Sequence, residues 1–137
     1  MNISELTFTN FMRAVKKTGE KEINTVFETI LERDLKIIDE ISDLCCSKMN
    51  INKSFLKVKN NRTKTDCISV IVYILKKNNI KPSDINTYFS NFTIRITETY
   101  QEILNLSDNI PHELRLKSLI KDIEIESEPI FKKYYIN

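Results

Sequence analysis

The chain is 137 residues long, with 21 Lys and Arg against 19 Asp and Glu, 41% hydrophobic and 29% charged residues. Those are the proportions of one soluble globular domain rather than of a disordered chain. With one Gly and one His, it lacks the glycines of a phosphate-cradling loop, and a His-based zinc site or His-centred triad is disfavoured.

Residues 5–18 place Leu6, Phe8, Phe11, Met12 and Val15 on one helical stripe that ends near Gly19. Across 21–49, Ile23, Val26, Phe27, Ile30, Leu31, Ile37, Ile38, Ile41, Leu44 and Cys45 recur at spacings of three and four, which predicts a long amphipathic helix. Asp34 falls on its apolar side, a place for a kink or break. Residues 50–65 are polar and basic around Phe55, Leu56 and Val58 and read as a loop, with Asn60-Asn61 as a turn. Thr65 can cap the segment 66–78, whose run Cys67–Leu75 is apolar on nearly all sides, as in a central helix.

Pro82-Ser83-Asp84 reads as a helix start, with Ile85, Tyr88 and Phe89 on one face. After a turn at Ser90-Asn91, residues 93–106 predict a helix carrying Ile96, Tyr100, Ile103 and Leu104 inward, and Asp108–Pro111 breaks it. A last helix is expected over 112–125, followed by a C-terminal tail, 126–137, that docks by its aromatics. Glycine-poor sequence with these stripes predicts an all-α fold, five or six helices in a single domain over 1–137. No N-terminal signal pattern and no apolar run of about 20 residues is present, so an intracellular protein without a membrane span is expected.

Chemistry-bearing residues are sparse. Cys45, Cys46 and Cys67 are an odd number in apolar runs and read as buried thiols. Glu28, Glu32, Asp39, Glu40 and Asp43 share the polar face of one helix, where solvation accounts for them. His112 follows Pro111 in a polar turn, and the alternation of Asp122, Glu124, Glu126 and Glu128 with Ile123 and Ile125 is no calcium loop. Neither a catalytic residue, a metal ligand nor a cofactor is expected, and the chain is not read as an enzyme.

Charge is the more informative signal. Lys48–Lys81 holds nine basic residues and one acid, Asp66, while the remainder holds twelve basic and eighteen acidic residues. Such asymmetry points to a polyanionic partner or, equally, to a solvated Lys-rich loop. Ile, Asn and Lys number 21, 14 and 16, the bias of an AT-rich genome, which lowers the weight of single Lys and Asn residues. The elements 66–78, 82–89 and 93–106 also have the layout of a helix-turn-helix, whose last helix lies in the major groove with Phe92, Thr93 and Arg95 at its leading end. There an Arg can donate a bidentate pair to guanine.

Within 61–105, Asn61-Arg62-Thr63-Lys64, Val72-Tyr73-Ile74, Asp84-Ile85 and Phe92-Thr93-Ile94-Arg95 follow one another as in a known pattern. This stretch of about 45 residues resembles the cyclin-like repeat of the transcription factor IIB family. There a basic turn precedes a small-residue helix with a Tyr segment, then a short helix, then a Val-Thr-Ile/Val-Arg-x-x-Tyr motif. The chain has Glu98 at the Tyr position and Tyr100 two residues later, Ile, Val and Cys in place of the central alanines, and no Cys/His ribbon in its first fifty residues.

The resemblance implies a cyclin-like core over about 20–125 that serves transcription initiation. It implies promoter DNA as partner, together with a TATA-box-binding protein and the RNA polymerase machinery. By position Phe92 and Arg95 would read bases, and Arg62 and Lys64 would lie near the phosphate-contacting turn; Thr93 joins them as a groove-facing position of the helix-turn-helix layout, and Lys57 and Lys59 as part of the basic patch 57–64. It implies work in a nucleus, or in a cytoplasmic virus factory for a viral form. The competing expectation is an all-α protein-interaction module, a cyclin-like adaptor or viral helical-bundle inhibitor, that binds a partner helix without DNA.

Overall fold

The computed structural model describes residues 21–57, 62–89 and 94–135. The helix expected over 5–18 and the turns at Asn60-Asn61 and Ser90-Asn91 lie outside the described residues. Five α-helices follow in order: α1 Lys21–Met49, α2 Arg62–Lys77, α3 Pro82–Tyr88, α4 Ile96–Leu104 and α5 Pro111–Tyr135. A 3-10 turn, Lys53–Lys57, precedes α2, and no strand occurs among the described residues. The fold is all-α. The chain divides into two compact units, Met1–Arg33 and Asp34–Asn137. In the first, the described residues 21–33 are helical.

The apolar run of the second half of α1 builds one wall of the core: Ile37, Ile38, Ile41, Cys45 and Cys46 are buried. Asp34 is buried too, and helical residues run without interruption through it, so no break occurs there. Helix α2 is the centre. From Cys67 to Leu75 only Ser69 escapes full burial, so β-branched residues that disfavour an isolated helix are held by packing on all sides.

With a single glycine in the chain, asparagines close the first two helices. Asn50 and Asn79 sit at φ 57° and 64°, the left-handed conformation that Asn tolerates better than other residues with a Cβ. After α1, Ile51 N–H donates to Cys46 C=O at 2.9 Å; after α2, Ile80 N–H donates to Leu75 C=O at 3.0 Å and Asn79 N–H to Lys76 C=O at 3.0 Å. This is the Schellman pattern, and buried Ile80 supplies the apolar contact that accompanies it.

Pro82 opens α3, as its missing N–H and preset φ favour, and Ile85 and Phe89 carry its buried face. Asn86 Oδ1 accepts the Ile94 N–H at 2.9 Å, tying the end of α3 to the approach to α4. Helix α2 packs chiefly on α4 and also on α3 and the 3-10 turn.

Four expectations are corrected. Helix α2 begins at Arg62, so Thr65 lies inside it rather than capping it. Helix α4 begins at Ile96, not Thr93. Ile96 and Ile103 take its inward positions, which leaves Leu104, about 100° further round than Ile103, half exposed. The expected tail 126–137 is helical as far as Tyr135. Leu116, Ile120, Ile123, Ser127 and Phe131 form one buried stripe along α5, and of the tail's aromatics Phe131 docks fully while Tyr134 packs on the core partly exposed. Pro129 is accommodated because it is exposed, as is Ile125 four residues before it; the carbonyl that loses its donor faces water.

Candidate functional site

Of the seven residues expected to meet DNA, Lys59, Phe92 and Thr93 lie outside the described residues. Lys57 ends the 3-10 turn. Arg62 and Lys64 stand in the first turn of α2 rather than in a loop. That turn contains no acid, whereas α3, α4 and α5 open with Asp84, Glu98 and Glu113. Cations at a helix amino end oppose the helix dipole, so this charge is not there to steady the helix.

Arg95 occupies the N-cap position of α4, and its side chain is 79% exposed. Its Nη1 lies 3.3 Å from Glu98 Oε2, a long surface pair that orients the guanidinium without consuming it. Thr97, Glu98, Gln101 and Glu102 share the exposed surface of this helix. Behind them the α2–α4 seam is aromatic: Tyr73 and Tyr100 stack with centroids 5.1 Å apart and planes at 20°. Lys76 lies 5.6 Å from the Tyr100 ring centre and Lys77 5.6 Å from that of Tyr73, within cation–π range. Lys77 also reaches Glu124 of α5 at 3.0 Å, and the Glu124 carboxylate is the main reason its pKa lies above the ordinary value.

The chain matches no family model, no curated protein and no solved structure. Its own geometry carries the reading.

A cleft of about 600 Å³ opens between α1, α3 and α5, lined by Leu35, Lys36, Asp39, Glu40, Thr87, Tyr88, Lys133 and Tyr134. Its carboxylates are already engaged. Asp39 accepts from Lys53 and, at 2.8 Å, from the Tyr88 hydroxyl. Glu40 accepts from Lys133 at 2.6 Å and from the Tyr134 hydroxyl. The Lys133 hydrogen bond, then that of Tyr134, holds Glu40 below the usual carboxylate range. Burial, then donation to Asp39, pushes Tyr88 up to about 12. Burial works against the Lys53 charge, but hydrogen bonds to Asp39 and Asp43 outweigh it and raise its pKa. These groups tie three helices together, and Glu40, held below the usual carboxylate range, is a poor proton acceptor at neutral pH.

Besides the Asp39 and Glu40 networks, sequence reasoning missed three further pairings. Tyr73–Tyr100 is one. Another is His112, the second residue of α5, whose Nε2 lies 3.0 Å from Asp66 Oδ2 beside a smaller cleft of about 230 Å³ lined also by Met49, Arg115, Leu116 and Leu119. The third is Cys46 and Cys67, with Sγ atoms 3.9 Å apart. None leaves a local signal, since the last two join residues 46 and 21 positions apart. Among the described residues no cluster of His, Cys, Asp and Glu is arranged to hold a metal ion, and no helix is long and apolar enough to cross a membrane.

Proposed function

We propose that this chain is a cyclin-like, DNA-associated module of transcription initiation that reads duplex DNA with the amino end of α4 and acts beside a TATA-box-binding-protein-like partner. The observation that carries the reading is the exposed Arg95 at the start of α4, in a helix that follows α2 and α3 and packs with α3 on α2. A helix-turn-helix presents the leading residues of its last helix to base edges in this way. The acid-free, basic first turn of α2 supports it as a place for a phosphate, where helix N–H groups and cations act together. In this reading Phe92 and Thr93 accompany Arg95 at the bases, and Lys57, Lys59, Arg62 and Lys64 serve the backbone. The chain performs no chemical step, needs no cofactor, and works where transcription starts, in a nucleus or a virus factory.

Fluorescence anisotropy of promoter-like and scrambled duplexes at two salt concentrations tests it. Binding that falls steeply with salt, prefers one sequence and loses that preference in Arg95→Ala is expected. Absence of binding at low salt by the folded protein overturns it.

A second reading, a protein-interaction module without DNA, is favoured by Leu104, Ile110 and Leu114, which flank the α4–α5 connection at 50%, 48% and 48% exposure. Apolar side chains left this open suit a partner's surface. On that reading Ile110→Ser with Leu114→Ser abolishes binding to a TATA-box-binding protein in calorimetry, while Arg95→Ala leaves it intact.

A further inference from the structure

Two thiols from different helices meet inside the core. Cys46 lies in the last turn of α1 and Cys67 in the second turn of α2, and their sulfurs are 3.9 Å apart in a direct contact. Cys45, the neighbour in sequence, is equally buried but lies outside this contact. A disulfide needs its sulfurs at about 2.0 Å, so bonding requires the two sulfurs to close roughly half of the 3.9 Å between them.

We propose that Cys46 and Cys67 form a peroxide-driven disulfide switch that staples the end of α1 to the start of α2. The Cys46 thiol ionises and its thiolate attacks hydrogen peroxide; the O–O bond breaks, Cys46 becomes a sulfenic acid, and the hydroxide released takes up the proton given by the thiol and leaves as water. The Cys67 thiol then attacks that sulfur, the S–O bond breaks, and a second water leaves with the Cys67 proton. Two thiols are oxidised by two electrons and one peroxide is reduced to two waters.

The environment distinguishes the two roles. Burial raises the pKa of all three cysteines, which makes the reaction slow. For Cys46 that effect is partly countered by the hydrogen bond with Cys67, while the nearby Asp43 charge raises its pKa further and the Lys53 charge lowers it. For Cys67 every neighbour adds to it, and Cys45 is pushed up to about 12. Cys46 is also the one of the three with any exposure, 3% against 0% for Cys45 and Cys67, so it is the thiol that meets peroxide and Cys67 the one that resolves it. The closed loop encloses the 3-10 turn Lys53–Lys57 and the basic start of α2, so oxidation restricts the most basic part of the chain. The switch itself does not depend on DNA binding.

The full chain is treated with hydrogen peroxide, then unfolded, alkylated and digested for mass spectrometry. The expected product is about 2 Da lighter, links the Cys46 and Cys67 peptides, and leaves Cys45 as the one thiol open to alkylation. The link persists in Cys45→Ala and reverses with dithiothreitol. In Cys67→Ala a cyclic 1,3-diketone traps the sulfenic acid on Cys46. Closing a loop of this length lowers the unfolding equilibrium constant by roughly 100-fold, read as a higher urea midpoint of the oxidised wild type. Three alkylatable thiols after peroxide in a chain that is still folded overturn the proposal. So does a link that includes Cys45, or an oxidised form with a lower urea midpoint than the reduced one.

Discussion

Helices α2 and α5 reach the same core by different routes. Between Cys67 and Leu75, α2 buries every residue but Ser69, so its position is set by apolar packing from all sides. Helix α5 has 25 residues but buries only the stripe of Leu116, Ile120, Ile123, Ser127 and Phe131. Around that stripe Leu119, Ile130 and Tyr134 pack on the core while partly exposed, and the remaining attachment is ionic and near the surface: Glu124 to Lys77, Glu126 to Lys48 and Lys133 to Glu40. Burial is worth kilocalories per side chain, while exposed ion pairs contribute at most about 1 kcal/mol each. The core therefore depends on α2 and is only edged by most of α5.

The largest expected effect is in α2. Ile71→Ala, at a fully buried position, costs about 2–5 kcal/mol in urea unfolding, from lost transfer energy plus the cavity left behind. Ile125→Ala, on the outer face of α5 at 67% exposure, changes stability by less than about 0.5 kcal/mol. Equal losses at the two positions would end the comparison.

The cap of α2 comes next. Asn79→Val forces a β-branched residue to φ 64° and lowers stability by about 1–2 kcal/mol, whereas Asn79→Gly holds or slightly raises it. A thermal melt in which the two substitutions behave alike would show that the left-handed cap is not what ends the helix.

The ionic edge of α5 responds to pH and only weakly. Glu40 is held below its ordinary 4.5, first by Lys133 and then by Tyr134. Its contribution is fully present above that value and is lost as pH falls through the lowered pKa. Wild type and Glu40→Gln should differ by a few tenths of a kcal/mol at pH 7 and converge in acid. A gap that persists at pH 2 would assign the effect to packing instead.

The smallest effect on stability is expected at Arg95. Arg95→Ala removes a side chain that is 79% exposed with one 3.3 Å surface partner, so urea midpoints should coincide within error. A destabilised Arg95→Ala would mean that this residue serves the fold.

Much of the helical framework is legible locally. The three- and four-residue spacing of α1 and the Pro82 start of α3 each reflect a constraint acting within one or two turns. The helix ends were harder. The start of α2 is hard to read because Asn61, Thr63 and Thr65 all offer cap signals in succession and the first turn, Arg62-Thr63-Lys64, carries no acid to choose among them. In α5, Pro129 and the acid–Ile alternation suggest a tail, yet Ile123 is buried and Ile125 exposed, the outcome of helical rather than strand periodicity. For the candidate site, exposure of Arg95 was foreseeable from its place between apolar Ile94 and Ile96. The stacking of Tyr73 on Tyr100, and the Lys53–Asp39–Tyr88 network, was not.

By itself the sequence determined the all-α class, the apolar centre at Cys67–Leu75 and the uneven charge, because side-chain periodicity and composition act over a few residues. Only the tertiary structure decided which distant residues meet. Cys46 and not Cys45 faces Cys67, His112 finds Asp66, and Glu40 takes Lys133. Such choices follow from how the helices pack, and a rotation of one residue about a helix axis, some 100°, would exchange every one of these partners.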